Sequence, residues 1–279
     1  MNAKFGPGGN SESFYLSGHK TTLEAPQYVK EIGLDAYEYE AGNGISGGLS
    51  LFREIGNRAK EAGVAMSFHT PYFISLSSAE ESKRTNSIGY IQQSLDVAHL
   101  LGAKTIVIHA GSCAKMSREE ALFLAKDTLY RTLSNVERHG ILLGIETMGK
   151  INQLGTLEEV LSICEMDNSL VPVVDFGHLN ARACGGVYQS EEDYLRVFEK
   201  IALTLGDEVA KHLHCHFSMI EWTQKGEKKH HTFERVDFGP PYEPLCDMLK
   251  KNDLSPTIIC ESNGTQSEDA LLMKRRYIM

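Results

Sequence analysis

Short apolar runs rich in Val, Ile and Phe recur along the whole chain, each followed by a polar loop and then by an amphipathic segment. The runs are Leu34–Tyr39, Val64–Phe68, Thr105–Ile108, Ile141–Ile145, Val171–Val174, His212–His216 and Thr257–Cys260, and Lys4–Phe5 at the start completes eight. Continuous apolar runs of this length suit strands buried on both faces, as in an all-parallel sheet. Helical spacing appears between them. Leu51, Ile55, Ala59 and Ala62 predict a helix over 50–62, and Ile91, Leu95, Ala98 and Leu101 predict one over 86–101 that Gly102 stops. Ser117 with Glu120, Thr156 with Glu159 and Ser190 with Asp193 read as capping boxes opening helices over 118–138, 157–165 and 191–205. Alternation of this kind with no linker or low-complexity break predicts an α/β protein, a single (β/α)8 barrel domain over 1–279. The alternative, an open doubly wound sheet, would need a nucleotide-binding glycine turn, and the cluster Gly42–Gly48 is not read as one.

The residues that stand just after these runs move the picture from fold to chemistry. VAMSF is followed by His69, TIVI by His109, ILLGI by Glu146 and VPVV by Asp175, with His178 three residues on. HLHCH ends in His216, and TIIC is followed by Glu261. A barrel gathers the C-terminal ends of its strands around one mouth, so these six positions converge despite their distance in sequence. Unpaired acids and imidazoles at the edge of a buried sheet would cost several kcal/mol through desolvation. A metal cluster removes that cost, and imidazole with carboxylate and no sulfur is a ligand set for Zn²⁺, Mn²⁺ or Fe²⁺.

Elsewhere the plainer readings hold. His19, His99 and His139 read as surface residues, and Met66, Met219 and Met248 as packing. His212 and His214 alternate with apolar neighbours and face either the helices or the barrel interior. The segment Lys225–His231 reads first as a solvated loop, but it lies beyond the seventh strand, where a loop can bend over the mouth; His230 is taken as its ligand.

Composition narrows the class. Lys plus Arg number 28 against 37 Asp plus Glu, a formal net charge of −9 over 279 residues with 42% hydrophobic positions. That describes a globular protein and excludes a basic DNA-coating one, although not a nuclease with a small metal-bearing cleft. No stretch approaches the roughly 18–20 apolar residues of a membrane span, and the opening MNAKFGPGGNSES holds no apolar core of a secretory signal. The chain is therefore expected to be cytoplasmic, with no membrane partner, and a monomer. The six Cys include no C-x-x-C pair, which predicts reduced thiols and no thiolate zinc site.

Taken together in chain order, the fragments HTPYFISLSS, IVIHAGS, LLGIETMGK, VPVVDFGHLNA and IICES resemble the endonuclease IV family of metal-dependent apurinic/apyrimidinic endonucleases, within the xylose isomerase-like TIM barrels. The resemblance runs from about Gly33 to Glu261. It implies two or three Zn²⁺ per chain at the C-terminal face. By motif, His69, His109 and Glu146 would bind one metal, and Glu146 would bridge to a second held by Asp175, His216 and Glu261. His178 and His230 would bind a third. It further implies hydrolysis of damaged double-stranded DNA 5′ to abasic sites by a hydroxide that the metals activate, with Glu146 and Glu261 as catalytic carboxylates and Tyr72 and Phe73 packing on the substrate.

Two departures stand out. The family pairs its third-site His with an Asp two residues earlier, where this chain has Lys228, or Lys229 if aligned on His231. The expectation is a dinuclear site, or a third metal with water in place of the carboxylate. The DNA-reading loop after the second strand is EAGNGISGG, with no basic residue, which leaves a small phosphoester or a sugar as possible substrates. The alternative function is a single-metal sugar isomerase or epimerase using Glu146, Asp175, His216 and Glu261, with Glu146 and Glu261 as its acid and base.

Overall fold

Apolar runs become strands here because both of their faces are covered, by barrel interior on one side and helices on the other. Phe68, Ile106, Ile108, Leu143, Ile145 and Ile258 are all fully buried. The computed structural model describes residues 2–113 and 116–279. Its strands are β1 (Lys4–Pro7), β2 (Ala36–Glu40), β3 (Ala65–His69), β4 (Thr105–His109), β5 (Leu142–Glu146), β6 (Leu170–Asp175), β7 (His214–Phe217), β8 (Met219–Thr223), β9 (Gly226–His231) and β10 (Thr257–Cys260). The helices are α1 (Glu12–Leu16), α2 (Ala25–Glu31), α3 (Leu49–Ala62), α4 (Glu81–Leu101), α5 (Arg118–Asn135), α6 (Leu157–Cys164), α7 (Phe176–Arg182), α8 (Glu191–Leu205), α9 (Asp207–Lys211), α10 (Glu243–Lys251) and α11 (Gln266–Ile278).

Eight strands form one parallel sheet in the order β1-β10-β7-β6-β5-β4-β3-β2. Its two ends meet: Gly8 bridges Glu38, and the Asp35 amide donates to the Phe5 carbonyl at 2.9 Å. The closure needs Gly6, because a Cβ there would lie 1.8 Å from the Ala36 carbonyl oxygen. The singly wound barrel expected from the alternation is therefore what forms. By spacing alone, Gly42-Asn43-Gly44-Ile45-Ser46-Gly47 does fit G-x-G-x-x-G and lies between a strand and a helix. The strand order nevertheless has no reversal at which a dinucleotide crevice could open.

Helix α3 presents Phe52, Ile55 and Ala59 to the sheet, each contact of a large side chain worth about 1.5–3 kcal/mol, and ends at Gly63 with φ +71°. Gly102 ends α4 in the same way, at φ +70°. That helix begins at Glu81 rather than at residue 86, because its first turn is polar throughout, with only Arg84 buried, and shows no apolar repeat. Thr156 and Ser190 form full capping boxes, whereas Ser117 only accepts from the Glu120 amide. Helix α5 stops at Asn135, three residues short of the predicted end, where Val136 turns extended. All six cysteines are free. Among the described residues no helix is long and apolar enough to cross a membrane.

The segment read as a solvated loop is instead an antiparallel ribbon. Strands β8 and β9 pair through Met219–His231, Ile220–His230 and Glu221–Lys229, joined by the two-residue turn Gln224-Lys225. Gly226 sits at φ +84°, where a Cβ would lie 2.1 Å from the Gly149 carbonyl oxygen, so glycine lets the ribbon tip rest on the loop after β5.

Candidate metal centre

Parallel register aligns the strand-end side chains in pairs. Glu40 lies opposite His69, His109 opposite Glu146, and Asp175 opposite His216. Glu261 comes directly after β10, its amide donating to the Phe217 carbonyl at 3.1 Å. Strand β6 runs one residue further than its apolar run, so Asp175 both ends the strand and caps α7 by accepting from the His178 amide at 2.8 Å. One turn of that helix carries the His178 ring to the same mouth.

Glu146 is the hub. Its Oε2 lies 3.1 Å from His109 Nε2 and 3.5 Å from His69 Nε2, and its Oε1 lies 3.0 Å from His216 Nδ1 and 3.5 Å from His178 Nδ1. Burial by itself would push this carboxyl up, but His216, His109 and His178 overcome it and hold it well below the usual range. His216 Nδ1 is also 3.2 Å from Glu261 Oε1. The rings are set from behind. His69 Nδ1 faces the Thr70 carbonyl and His178 Nδ1 the Thr147 carbonyl, each at 3.0 Å, which can only accept. Each ring's Nδ1 therefore carries the proton, and Nε2 is turned inward, the orientation that a carbonyl behind the ring gives a metal-binding imidazole. Burial lowers the His109 and His230 rings below the usual range, toward the neutral form that ligates.

Ligand atoms within 4.8 Å of one another define three contiguous groups that could each hold a metal ion: His69, His109 and Glu146; Glu146, Asp175, His216 and Glu261; and His178, Glu227 and His230. The buried atoms Glu146 Oε2 and Asp175 Oδ2 have no aligned hydrogen-bond partner, although imidazole nitrogens surround them. Glu146 Oε1 is hydrogen-bonded to His216 Nδ1 at 3.0 Å, but these two oxygens crowd against nitrogens without an aligned bond, a setting that fits a divalent cation. An orphaned buried carboxylate oxygen is otherwise costly.

The third group corrects the sequence reading, in which Lys228 or Lys229 left this position without a carboxylate. Trp222 pairs with Glu227 while Glu221 pairs with Lys229, so Lys228 is an extra residue bulged out of β9. In a regular strand Lys228 and His230 would share a face. The bulge turns Lys228 out to pair with Glu221 and brings Glu227 in, its Oε2 3.4 Å from His178 Nε2. His230 lies on the same side, its ring 5.3 Å from that of His178, while its Nδ1 meets Ser218 Oγ at 2.9 Å. His231 points to Glu221 instead. Glu227→Ala should lower the metal content by one ion per chain in native mass spectrometry while the other two groups stay filled. Unchanged stoichiometry would remove Glu227 from the ligand set.

Two further carboxylates, Glu38 and Glu40, are absent from the sequence reading. They alternate on β2 and point into the barrel, forming groups with His214 and His216 and with Glu261. Their signal was a pair of acids two apart, Glu38 within the run Leu34–Tyr39 and Glu40 just after it. His214 faces the interior, so its orientation is decided, and His212 stays near the surface beside Glu208.

A cavity of about 780 Å³ opens over the cluster, lined by Glu40, Asn43, Ser46, Tyr72, Lys150 and Gln266 among others. Tyr72 is 58% exposed and stacks on His109 at 5.3 Å; Phe73 is 51% exposed and packs edge-on against Tyr90. A second cavity, about 920 Å³, lies between the ribbon and α10 and α11, and none of its lining residues belongs to these groups.

Residues 26–276 match the model of a family described as the xylose isomerase-like TIM barrel. The chain belongs to this family. Its relatives include the uncharacterized protein MJ0133 of Methanocaldococcus jannaschii, 32% identical over 256 residues and 90% of each chain. A probable endonuclease 4 of Mycoplasma pneumoniae is 27% identical over 161 residues, covering 55% of this chain and 53% of that one. Among solved structures, endonuclease IV from Thermus thermophilus superposes with a TM-score of 0.68 at 18% identity, covering 99% of this chain and 97% of that one. A D-tagatose 3-epimerase-like protein superposes with a TM-score of 0.71, also at 18% identity and with the same coverage. The family fold thus carries both kinds of named protein, and the side chains at the mouth must discriminate between them.

Proposed function

We propose that the protein is a metal-dependent phosphodiester hydrolase of the endonuclease IV type, acting on DNA 5′ to abasic sites. The observation that carries this reading is the set of three ligand groups running together from His69 to His230, two of them sharing Glu146. A single-metal isomerase employs one such group and has no use for imidazoles at the ends of β3 and β4. Relatives named as probable endonuclease 4 support the same direction.

In this reading His69, His109 and Glu146 hold one cation, Glu146, Asp175, His216 and Glu261 a second, and His178, Glu227 and His230 a third. Bound Zn²⁺, or Mn²⁺ or Fe²⁺, would lower the pKa of water and neutralise charge developing on the phosphoryl group. Glu261 faces the mouth, and burial, reinforced by Glu146, Asp175 and Glu40 and opposed by His216, pushes its carboxyl up to about 8. That value is for the metal-free chain; a bound cation would hold the Glu261 carboxylate ionised, and in that form it would accept a hydrogen bond from the attacking water and orient it. The exposed rings of Tyr72 and Phe73 offer an apolar platform and a wedge beside the cluster, suited to an unstacked sugar or base.

One observation favours the epimerase. Among the described residues Lys150 is the sole Lys or Arg lining the cavity, and the β2 wall presents Glu40, whose buried Oε1 has no partner and would accept from a sugar hydroxyl. Metal analysis with two assays separates the readings. Two or three metals per chain with incision of an abasic-site duplex is the expected result. One metal per chain with epimerisation of a ketose and no incision would overturn the hydrolase.

A further inference from the structure

The interior of a small parallel barrel is ordinarily filled by branched apolar side chains. Glu38, on the inward face of β2, is fully buried there, and so is His216, with His214 nearly so. Glu38 reaches across the barrel to both rings of β7. Its Oε2 takes a hydrogen bond from His214 Nε2 at 3.0 Å, and its Oε1 lies 2.8 Å from His216 Nε2. The His216 ring is thus held between Glu38 on one side and Glu146 and Glu261 on the other.

The other rings of the cluster show what is missing at His216. His69 and His178 each turn their far nitrogen to a backbone carbonyl, and His230 turns its own to Ser218. The far nitrogen of His216 faces the Glu38 carboxylate instead. We propose that Glu38 is a positioning residue that keeps the His216 proton on Nε2, so that Nδ1 is presented bare to the group formed with Glu146, Asp175 and Glu261. His214 completes the device by engaging the second oxygen, which stops the carboxylate from rotating away. At 2.8 Å the Glu38–His216 pair is within reach but off the hydrogen-bond line, and in the metal-free ring it is Nδ1 that hydrogen-bonds, to Glu146 Oε1 at 3.0 Å; a cation at Nδ1 would replace that contact and leave Nε2 as the ring's donor, facing Glu38. A carboxylate behind a metal-binding imidazole fixes its tautomer and raises its basicity, and losing such a partner typically costs about 10–100-fold in metal affinity.

This inference rests on the metal-cluster reading but not on the substrate. Its test measures Zn²⁺ affinity by competition with a chromophoric chelator, and the His216 tautomer by nitrogen-15 NMR, in the full chain. Glu38→Leu, which removes the acceptor, should bind Zn²⁺ about 10–100-fold more weakly and lose the pure Nε2–H form. Glu38→Gln, which keeps an acceptor without the charge, should retain the tautomer and recover part of the affinity. Wild-type affinity and tautomer in Glu38→Leu would overturn the proposal. If that variant does not fold, wild-type affinity in Glu38→Gln would do so. A wild-type chain that takes up no metal would overturn the cluster reading and this role with it.

Discussion

Replacing Glu146 with Gln is expected to empty two of the three ligand groups and to lower hydrolysis by roughly 10²–10⁴-fold. The physical reason is that one buried carboxylate serves four imidazoles, those of His69, His109, His178 and His216, each with a nitrogen within 3.5 Å of it. An amide has neither the charge nor the two equivalent acceptors that the first two groups share. Glu227, His178 and His230 remain, so metal content should fall to one ion per chain. The metal-free variant should also be less stable, by about 3–5 kcal/mol, because removing one partner of a buried ion pair strands the other. Elemental analysis, steady-state rates and urea melts check the three parts. A variant that keeps its metals and turns over normally would show that Glu146 is not shared.

Stripping the metals should have the next largest effect, and its size should depend on pH. In the metal-free chain His69 is raised from 6.5 to about 10: burial opposes its charge, but Glu40, Glu146 and Glu38 outweigh burial. Glu40 rises from 4.5 to about 7 and Glu261 from 4.5 to about 8, with burial as the leading cause in each. All three groups therefore hold protons more tightly folded than unfolded. Their contribution is full below pH 4.5 for the carboxyls and below 6.5 for the imidazole, and it is lost as pH rises through about 7, 8 and 10. Glu146, whose pKa is lowered well below 4.5, acts in the opposite sense: its contribution is full above pH 4.5 and is lost as pH falls below that value. The chelated protein should accordingly melt several degrees lower at pH 9 than at pH 5. Divalent cations compete for the same sites, so uptake should release protons and tighten from pH 6 to 8. At a thousandfold excess over the dissociation constant, binding adds about 4 kcal/mol, or about 10 °C in Tm. Calorimetric melts with EDTA and with Zn²⁺ at pH 5, 7 and 9 read this directly. Identical melts with and without metal would leave the cluster without a cation.

The strand-end residues were legible because a parallel barrel has one simple rule. The residue after each apolar run arrives at the common mouth, so His69, His109, Glu146, Asp175, His216 and Glu261 could be assembled without knowing a single distance. The capping residues Thr156 and Ser190 were legible for a similar reason, since a cap acts on amides three residues away. Glu227 was not. Its place depends on a bulge at Lys228, and a bulge shifts side chains between faces without leaving a mark in the period-two pattern. The first turn of α4 was missed because a polar turn shows no apolar periodicity.

By itself the sequence determined the barrel and which histidines and carboxylates reach the mouth, since these follow from local periodicity and from the residue at each strand end. Only the tertiary structure decided which atoms meet. It made Glu146 the carboxylate common to four rings, brought Glu227 to the third group, and set Glu38 behind His216 across the barrel. Those contacts join residues up to 178 positions apart (His216 and Glu38), and they depend on register, closure and a single extra residue in one strand. Properties of that kind arise from packing the whole chain and have no local trace.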